Sequence, residues 1–116
     1  MDTDIQVLTN SLRAFAKERD WGQFHSPKNL ASALTVEAAE LLEHFQWMTE
    51  EQSRLPSATK TLEIATEVAD VFLYLLQLCD KLNIDLIQVA KEKILVNAQK
   101  YPADTVRGSS KKYNEK

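Results

Sequence analysis

At 116 residues the chain is the length of one domain, and a domain this short buries only a thin core, which favours oligomerisation. Hydrophobic residues at 44% and charged residues at 27% are ordinary for a soluble fold, and only 2 Gly and 3 Pro exclude a turn-rich β-sandwich in favour of long helices. A net charge of -3 excludes nucleic acid as a partner held by charge, and it means that any polyphosphate handled here needs a cation to mediate the contact.

The first helix is predicted over residues 3–19, with Ile5, Leu8, Leu12 and Phe15 on one face at helical spacing. Before it, MDTDIQ is acidic and has no apolar run, so no signal peptide is expected. Residues 20–26 break the pattern. Ser26 then reads as an N-cap with Pro27 at the first helical position, where its missing N–H costs nothing, and the second helix runs to about Met48. The polar stretch from Thr49 to Thr59, with Pro56, reads as a loop. Ser57 or Thr59 caps a third helix that runs to about Leu82. Asn83 or Asp85 caps a fourth, ending near Tyr101 before Pro102. Residues 102–116 read as an irregular polar arm, whose Arg107, Lys111 and Lys112 suit phosphate oxygens. No apolar stretch reaches the roughly 18 residues of a membrane span, so a cytoplasmic protein with no membrane partner is expected. The single cysteine, Cys79, lies in an apolar run and reads as a buried structural thiol.

Function is legible where the apolar pattern fails. On a wheel of about 100° per residue, Leu30, Leu34, Leu41, Phe45 and Met48 form one stripe of the second helix. Glu37 falls inside that stripe, Glu40 lies at its edge, and Glu43 is one turn further. The third helix is apolar around most of its circumference, and its narrow polar arc holds Glu63, Glu67, Asp70, Tyr74, Gln77 and Lys81. A helix this apolar is central, so the polar arc is expected to face a site or a seam. In the fourth helix Lys93 and Asn97 interrupt a side made of Leu86, Val89, Ala90, Ile94 and Tyr101.

One pair of carboxylates three apart on a helix is most often solvated surface. Two such pairs on adjacent helices, both at breaks in the apolar pattern, point inward together. Four carboxylates sharing one interior repel and are driven neutral unless a hard divalent cation such as Mg²⁺ joins them. Lysine and asparagine beside them suit phosphate oxygens. A lysine on an apolar face also fits plain snorkelling, and Trp21, Trp47 and Tyr74 also fit as core aromatics. Ferritin-like di-iron bundles use Glu-x-x-His, which this chain lacks, since Glu40 and His44 are four apart.

The pattern Glu37-x-x-Glu40, 26 intervening residues, then Glu67-x-x-Asp70 resembles the signature of MazG-type nucleotide pyrophosphohydrolases. The stretches ERDWGQFHSPKNL (18–30), EAAELLEHFQW (37–47) and EVADVFLYLLQL (67–78) resemble the branch that contains dCTP pyrophosphatases and the MazG-like proteins of integrons. So do KxxxNxxKYPAD (93–104) and SSKKYNE (109–115), and together these segments cover nearly the whole chain in order.

The resemblance implies an all-α, four-helix MazG-like bundle of one domain, completed by oligomerisation as a homodimer or homotetramer. It implies Mg²⁺, with Mn²⁺ as a substitute, on Glu37, Glu40, Glu67 and Asp70, with Lys93 and Asn97 on the phosphate chain. Trp21, His25, Trp47 and Tyr74 match positions near the base and sugar. The reaction implied is hydrolysis to a monophosphate and pyrophosphate; by our reading water attacks the α-phosphate, and one carboxylate, Glu40 by preference, orients that water or takes its proton. The implied role is clearing surplus or non-standard deoxynucleotides, with dCTP-like substrates favoured. A dUTP or phosphoribosyl-ATP pyrophosphatase of the same superfamily, and a non-enzymatic metal-binding or interaction bundle, are the alternatives.

Overall fold

Each long helix begins at a short polar side chain that takes up an orphan backbone N–H. The computed structural model describes residues 2–111. Helix α1 spans Asp4–Glu18, and its N-cap Thr3 exchanges hydrogen bonds with Gln6 in a capping box. Ser26 caps α2, Pro27–Glu43, by accepting from the Asn29 N–H, with Pro27 opening the helix as expected. Ser57, not Thr59, caps α4, Ala58–Lys81, and Asp85, not Asn83, caps α5, Leu86–Lys100. Asn83 instead takes the left-handed conformation, φ 53°, that ends α4, as Asp20 does after α1 at φ 52°. A 3-10 turn, Gly22–Phe24, lies between α1 and α2.

Two short helices correct the expected plan of four. The stretch read as a loop contains α3, Glu50–Arg54, whose N-cap Thr49 forms a capping box with Gln52. It is held by its cap and has no apolar stripe, so periodicity could not find it. The arm read as irregular contains α6, Ala103–Val106; Lys112 and the rest of the arm lie outside the described residues. The second helix also ends earlier than Met48. After Glu43 the bonds shorten to three-residue steps, Phe45 N–H to the Leu42 carbonyl at 2.9 Å and Met48 N–H to the Phe45 carbonyl at 2.9 Å. The chain tightens into turns there and carries Trp47 out of helical register.

No strand occurs among the described residues, so the fold class is all-α. Nor is any helix among them long and apolar enough to cross a membrane. The packing divides after Asn83 into a unit of α1–α4 and a unit of α5 and α6. In the first unit α2 lies along α4, and α1 packs on α4 as well. Arg13 of α1 reinforces that packing, with a two-point ion pair to Asp80 of α4 in which Nε donates to Oδ2 at 2.9 Å. The core is thin, as the chain length implied: Leu30 of α2 and Leu76 and Cys79 of α4 are the buried apolar side chains of this unit. Burial pushes the Cys79 thiol up, which fits its structural reading. Leu42, Leu55, Leu62 and Val68 remain exposed on the unit's surface. The second unit has no buried side chain among its described residues, and Ile94, Leu95, Lys93 and Asn97 are all exposed.

Candidate active site

The packing of α2 on α4 brings three of the four acidic residues together. Carboxylate oxygens of Glu37, Glu67 and Asp70 lie within 4.8 Å of one another, and all three side chains are half-buried. Among the described residues this is the group that could hold a metal ion. Glu37 Oε2 and Glu67 Oε2 are buried and have no hydrogen-bond partner. Burial, reinforced by the nearby carboxylates of Glu40, Glu67 and Asp70, pushes the Glu37 carboxyl up to about 7. Oxygen donors crowded together without hydrogen-bond donors fit a hard divalent cation, which supplies the missing positive charge.

Glu40 adjoins this trio through Glu37, without being one of its three close-set carboxylates. It lines a hollow of about 480 Å³ with Glu43, His44, Gln46, Lys60 and Glu67. Glu67 therefore belongs both to the acidic trio and to the hollow. Lys60, whose Nζ lies 3.4 Å from a Glu63 oxygen, is a cation at this edge that the sequence reading did not assign. Its spacing of seven from Glu67 on one helix, nearly two full turns, was the available signal.

On the other side of the trio a cleft of about 430 Å³ opens between α1 and α4. Asp70 sits in its wall, so the cleft adjoins the acidic cluster. Trp21, His25 and Tyr74 line it, which brings three of the four residues expected near a base into one place. Phe15 joins them, with Trp21 edge-on to its ring at 5.6 Å between centroids and the Arg19 guanidinium 3.6 Å from its centroid. Such edge-to-face packing holds both rings in fixed orientations. Leu8, Ser11 and Leu12 of α1 complete that wall, with Leu73 and Gln77 on α4. Gln77 belongs to the polar arc of α4 that was expected to face a site or a seam, whereas Phe15 read as part of the apolar stripe of α1 and Ser11 drew no reading. Trp47 is not in this cleft; its side chain is 88% exposed. Lys93 and Asn97 lie on α5, in the other unit.

The profile of the MazG-like family matches residues 33–115. The chain belongs to the MazG-like family. Among curated proteins, this MazG-like chain is similar to dCTP pyrophosphatase 1 of Homo sapiens, 41% identical over 103 residues that cover 87% of this chain and 61% of that protein. It is similar to dCTP pyrophosphatase 1 of Mus musculus as well, 42% identical over 104 residues with the same coverage. The chain thus spans about 61% of the length of the curated relatives it matches. Among solved structures, a pyrophosphatase from Archaeoglobus fulgidus is similar with a TM-score of 0.70 and 37% identity, over 88% of this chain and 95% of that chain. The MazG-like match takes in Glu37, Glu40, Glu67 and Asp70, while Trp21 and His25 precede it.

Proposed function

We propose that the chain is a divalent-metal-dependent hydrolase that converts deoxynucleoside triphosphates to monophosphates and pyrophosphate, with dCTP favoured. The observation that carries this reading is the double membership of Asp70, in the acidic trio and in the wall of the aromatic cleft. A site for metal-bound phosphates and a slot for a flat ring are thereby contiguous. Similarity to proteins named dCTP pyrophosphatase supports the substrate class.

In this reading Glu37, Glu67 and Asp70 hold Mg²⁺, for which Mn²⁺ substitutes. When bound, the metal neutralises phosphate charge and acidifies a water. Glu40, beside the trio and open to the hollow, takes a proton from the attacking water. Lys60 faces the same hollow and attracts the departing phosphates. Phe15, Trp21 and Tyr74 flank the base, and His25 lies at the sugar. Lys93 and Asn97 are assigned to the phosphate chain on their match to the motif alone.

The working form is a homodimer or homotetramer. Leu55 and Leu62 of the first unit and Ile94 and Leu95 of the second are more than half exposed in the single chain, apolar side chains that pairing with a second copy would cover. Trp47 acts on the base across that protomer interface. The enzyme works in the cytoplasm, with the nucleotide pool.

The test is to incubate the protein with Mg²⁺ and each dNTP in turn, with dUTP and phosphoribosyl-ATP alongside, and to identify the products by ³¹P NMR. A monophosphate with pyrophosphate is expected, fastest from dCTP. A diphosphate with orthophosphate would mean attack at the γ-phosphate and would overturn the reading.

A further inference from the structure

The aromatic walls of the cleft cannot choose a base, because every base has a face to stack. Discrimination falls to polar atoms in the walls, where an unmatched partner leaves a group unpaired. The polar side chains there are Ser11 on α1, His25 before α2, and Asp70, Tyr74 and Gln77 on α4. Asp70 is taken up by the acidic trio. Tyr74 and His25 can each donate or accept, so neither imposes a sense on the base edge.

Gln77 differs in that its amide is held in one orientation. It is half-buried, and its Nε2 donates to the Leu73 carbonyl four residues earlier, at 3.3 Å. A backbone carbonyl only accepts, so the amide cannot turn over without setting two oxygens against each other. One N–H of the NH₂ group is committed to the helix, which fixes the amide's orientation and makes Oε1 the acceptor that Gln77 carries into the lining of the cleft. Across the cleft Ser11 is arranged in the same way. Its hydroxyl donates to the Val7 carbonyl at 3.0 Å, and its lone pairs remain. Both walls thus offer acceptors.

Position along α4 assigns the ends of the cleft. Gln77 is seven residues beyond Asp70, nearly two turns on, so both lie on one side of the helix and are about 10 Å apart along it. Phosphates at the Asp70 end leave the edge of the base at the Gln77 end.

We propose that Gln77 is a specificity-determining residue: held by the Leu73 carbonyl, its Oε1 accepts a hydrogen bond from the exocyclic amine of the base and so favours cytosine over uracil. The proposal rests on the hydrolase reading above. Uracil presents a carbonyl where cytosine presents an amine, and that carbonyl meets Oε1 with no hydrogen between them.

The test measures kcat/KM for dCTP, for dUTP and for the 2-pyrimidinone analogue of dCTP, which lacks the 4-amino group. The proteins are wild type, Gln77→Met and Gln77→Ala. Wild type is expected to prefer dCTP to both others, and both variants to lose about tenfold of that preference, the worth of one hydrogen bond in a half-open site. The preference is a ratio within one protein, so partial loss of folded enzyme cancels from it. A wild-type preference that survives in both variants overturns the assignment of Gln77 and leaves the hydrolase reading standing. A wild type without preference for dCTP overturns the assignment too. A wild type that hydrolyses no triphosphate overturns both.

Discussion

Glu37 on α2 and Glu67 on α4 each bury one carboxylate oxygen, Oε2 in both, without a hydrogen-bond partner, in a trio whose oxygens lie within 4.8 Å. Buried anionic oxygens without donors cost stability, and a bound cation offsets that cost. Turnover is therefore expected to require Mg²⁺ or Mn²⁺ and to stop in excess EDTA. Added Mg²⁺ should raise the thermal midpoint, by the equivalent of about 2.7 kcal/mol at a hundred times its Kd. Pyrophosphate release and a melting curve with and without EDTA check both points, and full turnover in EDTA would sink the metal assignment.

The raised Glu37 carboxyl makes metal-free stability depend on pH. Below its ordinary value of 4.5 the group is protonated in folded and unfolded chains alike. Between 4.5 and about 7 the unfolded chain ionises first, so it binds fewer protons and the folded protein loses stability as the pH rises. Above about 7 the loss is complete. Glu37→Gln should abolish turnover, remove this component of the slope, and leave apo stability at pH 8 unchanged or higher. Melting both proteins in EDTA across this range checks it; a difference between them that does not vary with pH would remove Glu37 from the crowded site.

Asp70 is one of the three close-set carboxylates and Glu40 only adjoins them through Glu37, so their variants should differ. Glu40→Gln is expected to lower kcat strongly while Mg²⁺ still raises the thermal midpoint. Asp70→Asn should weaken both. Titrating Mg²⁺ against thermal stability separates the two, and equal loss of the metal response in both would make Glu40 a ligand.

Trp21 lines the cleft beside Phe15, and Trp47 does not line it. Trp21→Ala is expected to raise KM for a deoxynucleotide by one to two decades, from a stack worth roughly 1–3 kcal/mol. KM for inorganic triphosphate, which has no base, should change far less. An equal rise for both substrates would place Trp21 in the scaffold.

The exposed leucines set the expectation for assembly. Light scattering at micromolar concentration should give a dimer or tetramer. Leu62→Glu, at a side chain 72% exposed on α4, should lower the mass toward that of one chain. An active monomer of the wild type would overturn the oligomer.

Helical periodicity and capping chemistry are local, and they were readable from the chain alone. Ser26 with Pro27 marked the start of α2, the all-α class followed from the composition, and Glu37, Glu67 and Asp70 stood out as charges at breaks in the apolar pattern. Alternatives between near neighbours were beyond it. Ser57 rather than Thr59, and Asp85 rather than Asn83, became caps because backbone geometry chose between side chains of similar chemistry. Helix α3 escaped because a capping box holds it without a stripe. Which of these side chains become neighbours was decided only in three dimensions. A helical wheel shows which residues share a face of one helix, but not which faces meet or at what crossing. The meeting of α2 with α4 set Glu40 beside the trio, the turns after Glu43 carried Trp47 out of the cleft, and the docking of α1 on α4 turned Phe15 from an apparent core residue into part of a cleft wall, with Ser11 beside it.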